Sequence, residues 1–230
     1  MKKIGLIGGM SWESTVTYYK VINETIKQKL GGLHSGKIVL ESVDFQEIEK
    51  YQSNGEWDKS ARVLIEAARN LEKAGAGFII ICTNTMHKIA SEIQKEIDIP
   101  IIHIAEATGE RIIDSDIKKV ILLGTKYTMT ENFYKDKLIS NNIEVVIPDK
   151  SDIEKVNSII YNELCLGSIK PESKYIFLNI IDKLKNSGAQ GVILGCTEIG
   201  LLINSKDLDI PVFDTTLIHA EKAALLSIKN

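Results

Sequence analysis

The sequence predicts an α/β protein that consists of two similar domains, each built around a parallel sheet. Two observations support this prediction. Short runs rich in β-branched residues alternate with longer amphipathic segments along the chain, which is the pattern of βα units. In addition, short runs of the first half recur in the same order in the second half, as an internal duplication would produce.

The short runs are predicted as strands because most of them are almost continuously apolar, as are parallel strands that helices cover on both faces. These runs are Lys3–Gly8, Ile38–Val43, Phe78–Thr83, Ile101–Ile104, Val120–Gly124, Val145–Ile147, Val192–Gly195 and Val212–Phe213.

Longer segments between the strands are predicted as helices because their apolar residues recur at helical spacing. Trp57–Lys73 has the clearest pattern, and Gly75 follows it at a position that favours helix termination. The other predicted helices are Asn132–Ser140, Ile153–Leu166, Glu172–Lys185 and Thr215–Ile228.

The internal repeat defines the domains. Its aligned pairs are Lys2–Gly8 with Lys118–Gly124, Gly75–Thr83 with Gly188–Cys196, Asp98–Pro100 with Asp209–Pro211, and Tyr18 with Tyr134. We therefore expect a first domain of residues 1–98 and 210–230 and a second of residues 99–209. A pseudo-two-fold axis would relate them and place a site in the cleft between them. A chance likeness between apolar patterns is the alternative, since βα units resemble one another.

Charge and hydropathy exclude several classes of function. The 230 residues include 28 basic and 31 acidic side chains, which are interleaved and give a formal net charge of −3. Binding to nucleic acid or to an anionic membrane through bulk charge is therefore not expected. No apolar run approaches the roughly 18 residues of a membrane helix. The short apolar stretch near Met1 is typical of a strand rather than a signal peptide. We expect a cytoplasmic protein.

The cysteines are too few and too scattered for a disulfide framework, because only Cys82, Cys165 and Cys196 are present. None of them forms a Cys-x-x-Cys pair. His87 and His103 do not form a known ligand set with Cys82 either, so no metal site is expected. In the cytoplasm these thiols would stay reduced and available for chemistry.

Thr83 and Cys196 occupy equivalent positions in the repeat, each at the carboxyl end of a predicted strand. Ligands of open α/β sheets collect at that edge. Small polar residues and a helical segment follow each position, and free N–H groups and hydroxyls there would suit a carboxylate. Two proton-transferring groups on opposite sides of a bound carboxylate-bearing substrate are what a two-base proton transfer requires.

Three motifs resemble the aspartate/glutamate racemase family, and in particular its amino-acid racemase branch of about this length. They are Gly-Gly-Met-Ser-Trp-Glu at 8–13, Cys-Thr-Asn-Thr-Met-His at 82–87 and Gly-Cys-Thr-Glu-Ile-Gly-Leu-Leu at 195–202. The resemblance implies a cofactor-independent enzyme of two α/β domains that acts on a small amino acid, with two cysteines as opposed bases. It also suggests a homodimer.

The chain departs from the family pattern at one of these bases. The family has a cysteine directly before the Asn-Thr pair, whereas this chain has Thr83 there and Cys82 one residue earlier. A gap would make Cys82 catalytic, but the ungapped repeat pairs Thr83 with Cys196. Neighbouring strand residues also point to opposite faces. We favour Thr83 and Cys196 as the catalytic pair. A hydroxyl is a poorer base than a thiolate, so the two directions of reaction should be unequal.

Several further side chains are expected to contact the substrate or support the bases. Asn84, Thr85 and Thr197 would bind the carboxylate and ammonium groups; N-capping is their alternative role. Glu198 would orient the Cys196 thiol or accept its proton, or else it is an ordinary first-turn glutamate. A nearby helix N-terminus would lower the thiol pKa.

Five more positions are expected to bind the substrate, four of them from the resemblance and Thr128 from the internal repeat. Met10 and Ser11 would line the pocket, and Thr128 would form its counterpart in the second copy. Gln52 matches a substrate-contacting position; an exposed loop glutamine is the alternative. Cys165 stands where aspartate-specific relatives tend to have lysine, so a broader or neutral substrate range is plausible.

The sequence therefore predicts an amino-acid racemase, for aspartate and glutamate or a broader range, that uses Cys196 opposite Thr83. Two alternatives stay open on the same scaffold, since fold does not fix function. One is a catalytically weak amino-acid-binding protein. The other is a single-cysteine decarboxylase that acts on a malonate-like acid.

Overall fold

The structure is a computed structural model that describes residues 1–229 of the chain. The chain divides into two compact units. Unit 1 contains Met1–Ile104 and the final segment from His219 onward, and unit 2 contains Ala105–Ile218. Each boundary between the units lies several residues later in the chain than the repeat suggests. The chain changes units at or within the helix that follows the last strand segment of each unit, so most of that helix belongs to the other unit.

Unit 1 contains a parallel sheet with the strand order β2-β1-β3. Its elements are β1 (Ile4–Gly8), α1 (Trp12–Leu30), β2 (Ile38–Ser42), α2 (Phe45–Ser53), α3 (Trp57–Lys73), β3 (Phe78–Ile81), a 3₁₀ helix (Thr85–Ile89) and α4 (Ala90–Gln94). Helix α3 has the bounds that its apolar spacing predicts.

Unit 2 contains a parallel sheet with the order β5-β4-β6-β7. Its elements are α5 (Ile104–Asp114), β4 (Lys119–Gly124), α6 (Lys126–Thr130), α7 (Asn132–Ile139), β5 (Glu144–Val146), α8 (Lys150–Asn162), a 3₁₀ helix (Leu164–Leu166), α9 (Pro171–Lys185), β6 (Gly191–Gly195), α10 (Ile199–Leu202), β7 (Val212–Asp214) and α11 (Thr215–Ile228). Helix α11 continues into unit 1. The predicted α/β class with parallel sheets is confirmed.

The strand registers agree with the ungapped repeat. In unit 1, Ile4 of β1 pairs with Phe78 of β3. In unit 2, Val120 of β4 pairs with Gly191 of β6, and these are the residues that the repeat aligns with Ile4 and Phe78. The repeat therefore describes two sheets of the same order and the same register.

Alternation along β3 sends its side chains into two different cores. Ile79 and Ile81 pack with α3, whereas Phe78, Ile80 and Cys82 pack with α1 and α11. In unit 2, the β6 residues Val192 and Leu194 share one core with Cys196. Cys196 thus continues the face that corresponds to Ile79 and Ile81, and Cys82 lies on the other face.

Two sequence-based assignments need correction. Ile101–Ile104 was predicted as a strand, but only Ile101 forms an isolated bridge, to Ile79, before α5 begins at Ile104. The predicted helix Ile153–Leu166 is divided into α8 and a 3₁₀ helix. Helix α1 was not predicted, because its inward face includes Ser14 and Thr15 and its apolar pattern is weak.

Candidate active site

The end of β6 places Cys196 at the carboxyl edge of the unit 2 sheet. A Cβ on Gly195, the last strand residue, would lie 2.8 Å from the carbonyl oxygen of Leu123. A Cβ on Gly124, at the end of β4, would lie 2.7 Å from the carbonyl oxygen of Gly195. A larger residue at either position would push the strands apart, so this glycine pair fixes the point where Cys196 leaves the sheet.

The Cys196 thiol is hydrogen-bonded to a buried carboxylate. Its Sγ donates to Oε2 of Glu198 over 3.0 Å, and the Thr197 hydroxyl donates to the same oxygen over 2.7 Å. Cys196 and Glu198 are 8% and 5% exposed. Although the cysteine belongs to an apolar core, its sulfur thus faces a proton acceptor that Thr197 helps to orient.

The pKa of the Cys196 thiol is raised well above its ordinary value, first by burial and then by the charge of Glu198 and the nearby Cys165. The Glu198 backbone N–H acts in the opposite direction. The group is therefore a protonated thiol at neutral pH. The expectation of a lowered pKa is wrong, because burial and the carboxylate outweigh the single-turn helix α10.

In unit 1, the turn after β3 buries Cys82 and leaves Thr83 half-buried. The Thr83 N–H donates to the Ile81 carbonyl over 2.9 Å, and the Thr83 carbonyl oxygen lies 2.9 Å from Nδ1 of His87. Burial raises the pKa of the Cys82 thiol, which lies in the core. Cys82 therefore lies in the core, whereas Thr83 lies at the turn and stays partly exposed.

Asn84 and Thr85 follow directly and are both buried. Asn84 has helical backbone angles, and its side chain makes no capping hydrogen bond to the 3₁₀ helix. Glu198, which precedes α10, makes no side-chain capping bond either. No side-chain N-cap is therefore observed at Asn84 or Glu198.

Met10 and Ser11 link the end of β1 to α1 and are buried. The Ser11 carbonyl accepts the hydroxyl of Thr15 over 2.9 Å, which fixes the turn. Gln52 of α2 is also buried, and its Nε2 donates to the sulfur of Met86 in the 3₁₀ helix over 2.7 Å. Gln52 is therefore not the exposed loop residue of the alternative interpretation.

Thr128 and Cys165 lie close to Cys196 in unit 2. Thr128 is fully buried, and its Cγ2 would lie 3.3 Å from a Cβ on Gly195. It packs beneath the strand ends, where its N–H donates to the Thr125 hydroxyl over 3.3 Å. Cys165 is partly exposed and packs against the core that holds Cys196.

The predicted site residues thus form one group in each unit. The unit 1 group consists of Met10, Ser11, Gln52, Thr83, Asn84 and Thr85, and the unit 2 group consists of Thr128, Cys165, Cys196, Thr197 and Glu198. Most of these residues follow the central strands β1, β3, β4 and β6, at the edge where α/β sheets bind ligands.

Sequence reasoning considered His87 as a metal ligand and did not predict that its ring is buried in the turn after β3. His87 is 2% exposed and hydrogen-bonded on both ring nitrogens. The sequence signal that could have drawn attention to His87 is its position as the last residue of the 82–87 motif. Within residues 1–229, no His, Cys, Asp or Glu side chains form a group of three that could hold a metal. None of the helices described there is long and apolar enough to cross a membrane.

Comparison with known proteins identifies the relatives of the chain. The Asp/Glu/Hydantoin racemase family matches residues 7–223. The broad specificity amino-acid racemase RacX of Bacillus subtilis (strain 168) is 26% identical over 95% of both chains. An Asp/Glu racemase candidate from Yersinia pestis has a solved structure with 52% identity, full coverage of both chains and a TM-score of 0.93. PH1733, an aspartate racemase homologue from Pyrococcus horikoshii OT3, has 39% identity, full coverage of both chains and a TM-score of 0.86.

Proposed function

The chain belongs to the Asp/Glu/hydantoin racemase family, and we propose that it is a cofactor-independent amino-acid racemase with Cys196 and Thr83 as its two proton-transferring groups. The observation that carries the proposal is the Cys196 thiol, which is hydrogen-bonded to the buried Glu198 carboxylate at the end of β6. The enzyme is accordingly an isomerase, as are its named relatives.

In the proposed reaction, substrate binding converts the thiol into a base. The Cys196 proton passes to Glu198 Oε2, 3.0 Å away, and the ammonium group of the substrate stabilises the resulting thiolate. The thiolate then removes the α-proton from one face of the substrate. The Thr83 hydroxyl delivers a proton to the opposite face and takes one from water, and the proton held on Glu198 neutralises the hydroxide that remains, which restores both side chains. This sequence moves protons only.

The two directions are expected to differ in rate. When the opposite enantiomer is bound, Thr83 must accept the α-proton, and a hydroxyl is a far weaker base than a thiolate. Cys196 then acts as the acid, a role for which its raised pKa suits it. We therefore expect faster conversion of the enantiomer whose α-hydrogen faces Cys196.

We propose that the substrate carboxylate binds to Asn84, Thr85 and Thr197, where donors stabilise the charge that develops as the α-proton leaves. Met10, Ser11, Gln52, Thr128 and Cys165 would complete the pocket. Because Cys165 is neutral, we expect a range that extends beyond acidic amino acids. The relationship to a broad specificity racemase supports this substrate range.

We further propose a cytoplasmic homodimer. Trp12, Val16 and Tyr19 form an exposed apolar stripe on α1, each with more than half of its surface accessible. Glu13 and Lys20 flank the stripe, so two antiparallel copies of the helix would bring opposite charges together. Light scattering should report a dimer for the wild type and a monomer for Val16→Glu.

Proton NMR in D2O tests the enzymatic proposal. Each enantiomer of an amino-acid panel is incubated with the protein without added cofactor, and the α-proton signal is followed. Loss of the signal with the wild type, but not with Cys196→Ala, is expected. If no amino acid exchanges, the raised thiol pKa would favour the catalytically weak binding protein. Release of CO2 from a malonate-like acid would instead identify a decarboxylase.

A further inference from the structure

We propose that His87 is a positioning residue for Thr83, and that a chain of hydrogen bonds from α1 and α11 holds its ring in place. The role in catalysis rests on the proposed racemase function. The arrangement of the bonds does not, because it follows from contacts within unit 1.

The hydrogen bonds of His87 determine its tautomer. The Ile104 N–H donates to Nε2 over 3.2 Å, so this nitrogen is unprotonated. The ring proton is therefore on Nδ1, which donates to the carbonyl oxygen of Thr83 over 2.9 Å. Burial lowers the pKa of His87 to about 4, in agreement with a neutral ring at neutral pH.

A second buried histidine fixes the segment that contacts His87. His219 of α11 lies 2.8 Å from the Ile102 carbonyl oxygen through Nε2, and 2.9 Å from the Tyr18 hydroxyl through Nδ1. Since the carbonyl can only accept, Nε2 donates to it and Nδ1 accepts from Tyr18. The path thus runs from Tyr18 through His219 and the 102–104 segment to His87, and it ends at the backbone of Thr83.

The path also includes both points where the chain passes between the units. Ile104 is the last residue of the first segment of unit 1, and His219 is the first residue of the returning segment. The rings of His87 and His219 lie 5.7 Å apart, and that of His103 lies 4.6 Å from His87. Three histidines therefore gather near the points where the chain leaves unit 1 and returns to it.

The repeat shows that this histidine network belongs to the Thr83 half alone. With the offset that aligns Gly75–Thr83 with Gly188–Cys196, Gly200 replaces His87, and with the offset that aligns Asp98–Pro100 with Asp209–Pro211, Thr108 replaces His219. The buried tyrosine is retained, since the Tyr134 hydroxyl lies 3.4 Å from the Thr108 hydroxyl. The counterpart of Glu198, the carboxylate that contacts Cys196, is Thr85. The two halves thus support their terminal residues by different means.

The histidine network supports Thr83 because this residue lacks the carboxylate that supports Cys196. Cys196 has a carboxylate that can take or return its proton, whereas Thr83 is a weak acid and a weaker base and depends more on its position. Its N–H and its carbonyl are both held within unit 1, by Ile81 and by His87. Misplacement of a reacting group by about 1 Å can cost on the order of a hundredfold in rate.

Three substitutions separate the two hydrogen bonds of the ring. His87→Asn keeps a donor near the position of Nδ1, and His87→Gln keeps an acceptor near the position of Nε2. His87→Leu removes both. We expect His87→Leu to slow inversion about tenfold more than Cys196-dependent α-proton exchange. His87→Asn should restore the ratio of inversion to exchange, and His87→Gln should not. His34→Asn, which replaces an exposed histidine, is the matched control.

An NMR measurement tests the arrangement without any substrate. The imidazole ¹⁵N spectrum should show His87 as the neutral Nδ1–H form at pH 7. The ¹³C signal of the Thr83 carbonyl should move in His87→Leu and return in His87→Asn. A His87 ring protonated on Nε2, or an unmoved carbonyl signal, would overturn the proposal. So would equal losses of exchange and inversion in a folded His87→Leu variant. If the wild type exchanges no amino acid, the racemase function fails and the NMR result decides the positioning on its own.

Discussion

Replacing Glu198 with glutamine removes the charge beside the Cys196 sulfur while keeping the size of the side chain. The thiol and the carboxylate lie 3.0 Å apart. Two unit charges at this distance repel by about 5 kcal/mol in an effective dielectric of about 20, which is equivalent to about four pH units in a pKa. Relaxation reduces this value, and burial, the largest cause of the raised pKa, remains. We therefore expect Glu198→Gln to lower the thiol pKa by at least about one pH unit.

Alkylation by iodoacetamide, resolved by peptide mass spectrometry, measures this change. A fall of one pH unit increases the thiolate fraction about tenfold and lowers its nucleophilicity, for a net gain of about threefold in rate. The variant should therefore react faster at Cys196 yet racemise about a hundredfold more slowly, because the proton acceptor is lost. Cys82 is fully buried and should stay unlabelled in the folded protein, so its labelling reports unfolding. Glu154→Gln replaces an exposed glutamate as the matched control.

An unchanged or slower reaction at Cys196 in Glu198→Gln would refute this reasoning, because it would mean that the carboxylate does not oppose ionisation of the thiol. Full racemase activity in the variant would show that Glu198 is not the proton acceptor.

Three further predictions follow from the same structure. Cys82→Ala should change racemisation less than about twofold while lowering the free energy of unfolding by about 1 kcal/mol, because it removes a sulfur that lies in the core of unit 1. A large loss of activity in chiral chromatography would contradict the alignment of Thr83 with Cys196. Thr83→Cys supplies a second thiol, so the rates of reaction in the two directions should become more equal. The ratio of initial rates from the two enantiomers measures this, and a ratio equal to that of the wild type would count against Thr83 as a catalytic residue. The free energy of unfolding should fall as the pH drops from about 6.5 to about 4, because the buried ring of His87 resists the proton that the unfolded chain accepts. Urea titrations should show that this fall is smaller in His87→Asn, by up to about 3 kcal/mol; identical pH slopes would contradict the buried neutral ring.

The sequence contained enough information for the sheets but not for all their connections. Strands such as β3 and β6 are short, apolar and repeated, so their positions and their equivalence in the two halves follow from the pattern, whereas their pairing is known only from the structure. The segment at Ile101–Ile104 has the same apolar character, yet Ile104 begins a helix whose position depends on contacts with His87. Helix α1 was missed because packing, rather than a strong apolar stripe, stabilises it.

The site was predictable where it depends on the repeat and not where it depends on distant contacts. The equivalence of Thr83 and Cys196 follows from the ungapped alignment. The raised pKa of Cys196 does not, because it arises from burial that no local pattern records. The pairing of Tyr18 with His219 joins residues at opposite ends of the chain, so neither the sequence spacing nor a motif predicts it.

Deuterium incorporation in the Thr83→Val variant tests the central claim most directly. The account predicts that one enantiomer still exchanges its α-proton with D2O, through Cys196, while inversion of that enantiomer falls by at least about tenfold. Adding Cys196→Ala should abolish the remaining exchange. Inversion at the wild-type rate in Thr83→Val would contradict the proposal that these two residues act on opposite faces of one carbon.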